Sequence, residues 1–369
     1  MKSLLKFNFA FLLMLSLALL PVTLCARTVT DGLGRQVEIP DKVERVICSG
    51  PGCLRLLVYL QARDTAVGVD DIEKKSSIFD ARPYALANPR FRELPLIGEF
   101  RGNDNPELIA TLDPRPQVMF KTFIGAAQDP SELEGKIGMP VVVLNYGDLG
   151  ARRQDLDQSL LLMGQVLGRE QRAREVISFM DSLVADLRQR TADSPEIAQT
   201  ICYVGGVALK GPHGFQSTEP GYPPFTFVGA RNVAAWQGPG KAPGVTTVAK
   251  EKILEWNPSV LFVDLSTLQL GDKAGGLHEL RTDPAYQALD SVRQGRVYGL
   301  LPYNWYNVNF GSVLANAYYV GSVLAPDRFR DIDPAAKADE IYEFLVGARV
   351  FAEMDQAFGS LVYQKIPVR

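Results

Sequence analysis

Short apolar runs recur along the chain, and their period changes in a regular way. Over residues 28–40, apolar and polar positions alternate on both sides of Asp31-Gly32-Leu33-Gly34. That pattern predicts a β-hairpin with a glycine-containing turn. Residues 45–48 form a β-branched run, broken by Ser49-Gly50-Pro51-Gly52, and the spacing beyond it predicts a helix over 53–61. Residues 65–69, 117–120 and 140–144 read as further strands, with a helix over 106–112. Short, nearly continuous apolar strands alternating with helices predict a parallel sheet covered on both faces.

The period then changes. Ala173, Val176, Ile177, Met180, Leu183, Val184 and Leu187 recur at helical spacing with charges between them. A helix of about 20 residues is a rod roughly 30 Å long, about the width of a small domain. Ala192-Asp193-Ser194-Pro195 ends it. The α/β alternation restarts beyond, with strands over 200–204, 260–263 and 296–300 and a Gly/Pro-rich segment over 205–224. Helices are predicted over 248–256, 280–289, 312–324 and 335–351. The two halves echo each other: ELIATLDPRPQVMF at 107–120 and EKILEWNPSVLF at 251–262 each read as Glu, helix, Asp/Asn-Pro, strand. The simplest expected architecture is α/β, with two similar lobes joined by one long helix. The expected division is an N-terminal lobe over 27–168, a connecting helix over 169–192 and a C-terminal lobe over 193–369.

Residues 1–26 are set apart from the fold. Lys2 and Lys6 precede an apolar run from Phe9 to Leu20, and Thr23-Leu24-Cys25-Ala26 leads to a polar start at Arg27. This is the layout of a secretory signal cleaved after Ala26, and the run is short for a membrane span. An uncleaved anchor and acylation at Cys25 are the alternatives, the latter disfavoured by Leu24 just before the cysteine. Export places Cys48, Cys53 and Cys202 in an oxidising compartment, where an odd count leaves at least one thiol unpaired. Cys48 and Cys53 either bridge or pack as small buried hydrophobes.

Composition narrows the function classes. The 369 residues carry 39 Lys+Arg against 42 Asp+Glu, a net charge of −3, so the basic stripe of a nucleic-acid binder is lacking. His213 and His278 are the only histidines, too few for the His-rich ligand set of a bare-metal site.

In order and spacing, several segments resemble those of the helix-hinged periplasmic substrate-binding proteins of ABC importers for iron–siderophore complexes, cobalamin and haem. These are TDGLGRQVEIP at 30–40 followed by Arg45-Val46-Ile47, the paired units at 107–120 and 251–262, and the approach to the last strand over 280–302 with Ala288-Leu289 and GRVY at 295–298. The similarity runs through nearly all of the chain after residue 26. It implies two Rossmann-like α/β lobes joined by one long rigid helix with a ligand cleft between them, and a monomer in the periplasm, without a cofactor or catalytic residues, that captures a metal chelate or metal oxyanion. It also implies partnership with an importer permease and its ATPase, whose arginines Glu107 and Glu251 would meet as a two-point dock.

Ligands of open α/β sheets bind beyond the carboxyl ends of the strands. Those ends supply Ser49, Gly50, Lys121 and Tyr146 in the first half, and His213, Tyr303, Asn304, Trp305 and Tyr306 in the second. Arg101 joins them from the loop at 98–102. The cluster at 303–306 offers large, stiff aromatic surfaces with polar tips, while Arg101, Lys121 and Lys210 supply positive potential for an anion. Two other readings stay open. One is an exported enzyme using Cys53 at a helix N-terminus with His213 as base. The other is a sensor or adaptor that presents ligand on the same fold.

Overall fold

The computed structural model describes residues 26–75, 77–122, 129–240 and 242–368. The predicted signal segment, Cys25 included, lies outside the described residues, except that Ala26 opens the first strand. Strands β1 (Ala26–Thr30) and β2 (Gln36–Pro40) form the predicted antiparallel hairpin.

The first large sheet is built from β3 (Val46–Ser49), β4 (Ala66–Asp70), β5 (Leu96–Glu99), β6 (Asn103–Asp104), β7 (Val118–Lys121) and β8 (Val141–Val143). Their order is β6-β5-β4-β3-β7-β8, and all neighbours are parallel except the β5–β6 pair. The chain reverses its direction of travel across the sheet between β3 and β7, whose register sets Ser49 beside Lys121. The buried runs Val46–Ser49 and Val118–Lys121 explain the near-continuous apolar character of these segments.

After β9 (Ile201–Gly205), the short strands β10 (Ser217–Thr218), β11 (Arg231–Asn232) and β12 (Thr246–Thr247) precede β13 (Val260–Asp264) and β14 (Val297–Leu300). The second sheet runs β11-β9-β13-β14, all parallel, with its own reversal between β9 and β13, while β10 and β12 pair separately. Two parallel sheets of the same plan, each with a reversal point, are the two expected lobes.

Helix α1 (Cys53–Tyr59) follows β3. Helix α2 (Arg153–Leu167), which sequence reasoning left unassigned, buries Leu156, Leu160, Met163 and Val166 at helical spacing. The rod α3 (Glu170–Thr191) buries Ala173, Val176, Met180, Leu183, Val184 and Leu187 of the stripe read from the sequence and leaves Ile177 half-buried. It packs on α2 at one side and on the helix Pro223–Val228 and on α4 (Phe310–Leu324) at the other, so it touches elements of both halves. Arg172 anchors it to the Tyr59 carbonyl at 3.0 Å, and Arg190 to Asp331 at 2.7 Å.

Two predicted helices are interrupted. The segment expected as one helix over 280–289 is split between Gly275–Thr282 and Pro284–Gln287. Asp283 precedes a proline, which disfavours helical backbone there, and its side chain caps the second piece at the Ala285 amide. The segment over 335–351 ends at Val346 because Gly347 takes a left-handed φ of 79°, and a new helix runs Phe351–Ala357. Cys48, Cys53 and Cys202 are all free and buried, the second of the two readings for the first pair. Among the described residues no helix is long and apolar enough to cross a membrane.

Candidate functional site

A cavity of about 360 Å³ opens beyond the carboxyl ends of both sheets. The first half contributes Pro51, Ile72, Phe100 and Arg101, and the second Ala208, Leu209, Lys210, Gly211, Gln269 and residues 304–307. Its volume is in the range of small-molecule sites, about 300–1,000 Å³.

Local backbone geometry explains how these residues arrive there. The β5–β6 turn is tight because Gly98 has φ 154°, and a Cβ there would meet the Asn103 carbonyl at 2.3 Å. That turn carries Phe100 and Arg101 into the cavity, with the Arg101 guanidinium 4.9 Å from the Phe100 ring centre. In the second half, β14 runs into a loop closed on itself by an Asn304–Val308 bridge and by Asn309, whose side chain donates to the carbonyls of Tyr303 and Trp305 at 3.0 and 3.1 Å. Tyr306 and Asn307 both take left-handed backbone, with φ of 48° and 71°. Asn304 ties the loop to the turn at 208–211 by donating to the Ala208 carbonyl at 2.9 Å.

Charge is unevenly distributed around this space. Arg101 and Lys210 are exposed, and among the described residues neither is in an ion pair. The nearby acid Asp70 is buried and accepts from the Tyr306 hydroxyl at 2.5 Å. Burial, reinforced by repulsion from Glu73, pushes its carboxyl up to about 8. At neutral pH the cavity therefore has two unspent cations, while the acid behind its wall is largely protonated, an arrangement that favours an anionic ligand. Phe100, Trp305 and Tyr306 add aromatic surface, with the Phe100 and Tyr306 rings 6.5 Å apart.

Of the residues expected in the cleft, Arg101, Lys210, Asn304, Trp305 and Tyr306 come together in it. The others do not line it. Lys121 is wholly buried, its ammonium paired with Asp104 and donating to the Gly102 carbonyl at 2.9 Å. The β5–β6 turn covers the end of β7 and brings its own carboxylate, so this lysine closes the sheet instead of meeting a ligand. Ser49 is buried in the same cluster, donating to Asp104 at 2.5 Å, and Gly50 is buried beside it. Tyr146 is buried, stacked on Phe310 at 5.0 Å and donating to the Val308 carbonyl at 2.8 Å. Its ring occupies the space a Cβ on Gly52 would need, 2.2 Å away. Tyr303 is buried with its hydroxyl on Glu219. His213 is exposed, with Nε2 at 2.9 Å from the Leu209 carbonyl just outside the lining.

Glu107 and Glu251 are exposed first-turn residues of the helices Pro106–Ala110 and Lys250–Trp256, outside the cavity. Cys53 is fully buried, and burial together with Cys48 raises its thiol pKa, the reverse of what a nucleophile requires. Sequence reasoning missed Phe100, Leu209, Gln269 and Asn307. Phe100 adjoins Arg101 in the same turn, and Gln269 lies five residues beyond β13, past the strand end itself.

The family described as periplasmic binding protein matches residues 46–303. The molybdate-binding protein MolA of Haemophilus influenzae is 24% identical over 341 residues, covering 87% of this chain and 91% of that protein. Its molybdate-bound structure superposes with a TM-score of 0.66 at 22% identity, over 88% of this chain and 98% of that one. The iron-uptake system-binding protein of Bacillus subtilis is 21% identical over 193 residues, 52% of this chain and 57% of that protein. A periplasmic solute binding protein from Veillonella parvula superposes with a TM-score of 0.68 at 17% identity, over 94% of this chain and all of that one.

Proposed function

From the premise that this chain belongs to the periplasmic binding protein family, we propose that it captures a small anionic metal-containing ligand in the cleft and delivers it to the permease of an ABC importer. The ligand is either a metal chelate of the iron–siderophore, haem or cobalamin type or a metal oxyanion. One observation carries this reading. Arg101 and Lys210, contributed by different halves, line one cavity and are free of ion pairs among the described residues, so their charge is available to a guest. A charge-assisted contact contributes about 1.5–3 kcal/mol, several times an exposed ion pair. The molybdate-binding and iron-uptake relatives bracket the ligand class.

The mature protein starts after Ala26 and works outside the cytoplasm. Its lobes are 27–168 and 193–369, held by a connector over 169–192. A stiff helical connector permits small relative motions and few large ones. Glu107 and Glu251, one on each lobe, form the dock for the permease, and their exposure leaves them free to pair with arginines.

Isothermal titration against sodium molybdate, sodium tungstate and ferric catecholate and hydroxamate chelates tests the reading. Saturable one-to-one binding without turnover is expected from at least one of these, and no binding by any would overturn it. The Glu107→Ala, Glu251→Ala double variant should keep that affinity and lose uptake in cells.

A further inference from the structure

We propose that Arg55 is a positioning residue: reaching across from the first lobe, it holds the second lobe's cleft loop at 305–308 in its ligand-ready shape without touching the ligand itself. Arg55 lies on α1, is 1% exposed and is absent from the cavity lining. Its guanidinium ends inside the curl of that loop. Nη1 donates to the Val308 carbonyl at 2.9 Å, and Nη2 to the carbonyls of Trp305 and Tyr306 at 3.1 Å each, with a longer contact to Asn307 at 3.5 Å. Nη1 also donates to the Tyr146 hydroxyl, which in turn donates to Val308.

This is an unusual use of a buried cation. Among the described residues no carboxylate pairs with the guanidinium. Carbonyl dipoles and the faces of Tyr84 and Tyr146, 5.0 and 5.7 Å away, offset its charge. The carbonyls converge because Tyr306 and Asn307 both take left-handed backbone, a conformation costly for a tyrosine and tolerated by asparagine. Carbonyls turned toward one point repel each other unless a cation sits among them. A planar fork with several donors suits that point, and a lysine ammonium does not span it.

The consequence lies on the other side of the same loop. Trp305, Tyr306 and Asn307 line the cavity while their carbonyls face Arg55. Two further first-lobe contacts converge there. The Pro51 carbonyl accepts from Asn307 at 3.1 Å, and Asp70 accepts from the Tyr306 hydroxyl. The aromatic wall of the cleft thus belongs to one lobe in sequence and is fixed by the other. A wall fixed before the ligand arrives spares the ordering cost of binding. If the loop held this shape only one-tenth of the time, apparent affinity would fall about tenfold.

The loop's order is measurable without ligand, whereas its effect on affinity rests on the cleft being the binding site. Hydrogen exchange followed by mass spectrometry on the full mature chain separates the two. In the wild type, the amides of 303–309 should exchange about as slowly as those of β9 and β13, and rapid exchange there would overturn the proposal. In Arg55→Gln, that peptide should exchange at least about tenfold faster, with β9 and β13 unchanged. Arg55→Lys, which keeps the charge and most of the stem, should fall between. An unchanged loop, or a rise spread evenly over both lobes, would mean that Arg55 is an ordinary core brace. With sodium molybdate as probe, Arg55→Lys should weaken binding about tenfold and leave its salt dependence at the wild-type slope. A changed slope would place Arg55 in contact with the ligand. If the wild type does not bind molybdate, the ligand assignment fails for that probe, and the exchange result still decides the role of Arg55.

Discussion

Lys121 and Arg55 are buried and held by several protein oxygens each, whereas Arg101 and Lys210 stand exposed with no acid against them. All four are cations near the carboxyl ends of the strands, and residue type alone does not tell them apart. What separates them is whether the fold has already used the charge. A lysine whose ammonium meets Asp104, Gly102 and Ser49 has little left for a guest, and moving it would strand a buried carboxylate. Two cations without an ion pair among the described residues, at the cavity wall, cost the fold little and are available to an anion.

This contrast is sharpest under truncation. Lys121→Ala leaves Asp104, 2% exposed, without its counter-charge, and should cost about 3–5 kcal/mol in urea denaturation. Removing Asp104 as well should recover part of that loss, as a double-mutant cycle would show. Equal stability in Lys121→Ala and the wild type would erase the distinction drawn above.

The outer pair should behave in the opposite way. Arg101→Ala and Lys210→Ala should each change stability by no more than about 0.5 kcal/mol. Each should weaken binding of the native anion by about 10–100-fold, the counterpart of about 1.5–3 kcal/mol. The affinity left in the double variant should depend less on salt than that of the wild type. Variants that lose stability but keep their affinity would reverse the assignment.

A pH dependence comes from two buried acids, Asp70 behind the cavity wall and Asp264 at the end of β13. Burial pushes Asp70 up to about 8 and Asp264 up to about 7. Each binds its proton more tightly folded than unfolded, so its contribution is complete below the ordinary carboxylate range and is lost as pH rises through those values. Thermal stability should therefore decline between about pH 4 and pH 8, by up to about 1.4 kcal/mol per pH unit for each acid. Asp70→Asn and Asp264→Asn should each flatten part of that decline, and an unaltered slope in both would contradict it.

Much of the fold was legible in the chain because parallel strands buried on both faces leave plain apolar runs. Val46, Ile47, Val118 and Val141–Val143 are examples. The rod was legible from its stripe, and the two-lobe plan from the repeated Glu-helix-Pro-strand unit. The breaks at Asp283-Pro284 and Gly347 had visible signals that the apolar periodicity outweighed. For the cleft, Arg101 was read from its loop at 98–102, while the strand-end rule located Lys210 and the loop at 304–306. It failed at Lys121 because the partner that consumes the charge is Asp104, 17 residues earlier, on a two-residue strand with no pattern of its own. Arg55 was invisible for a related reason. It sits in an apolar helix, and its partners are carbonyls about 250 residues away, which no side-chain pattern announces.

The central claim is that Arg101 and Lys210 jointly hold an anionic cargo. Native mass spectrometry of the mature protein and of its Arg101→Ala, Lys210→Ala double variant, both purified from the native host, tests it most directly. The account predicts one small adduct of constant mass on the wild type and bare protein for the folded variant. The same adduct at equal occupancy on both, or none on a wild type taken from cells well supplied with metal, would contradict it.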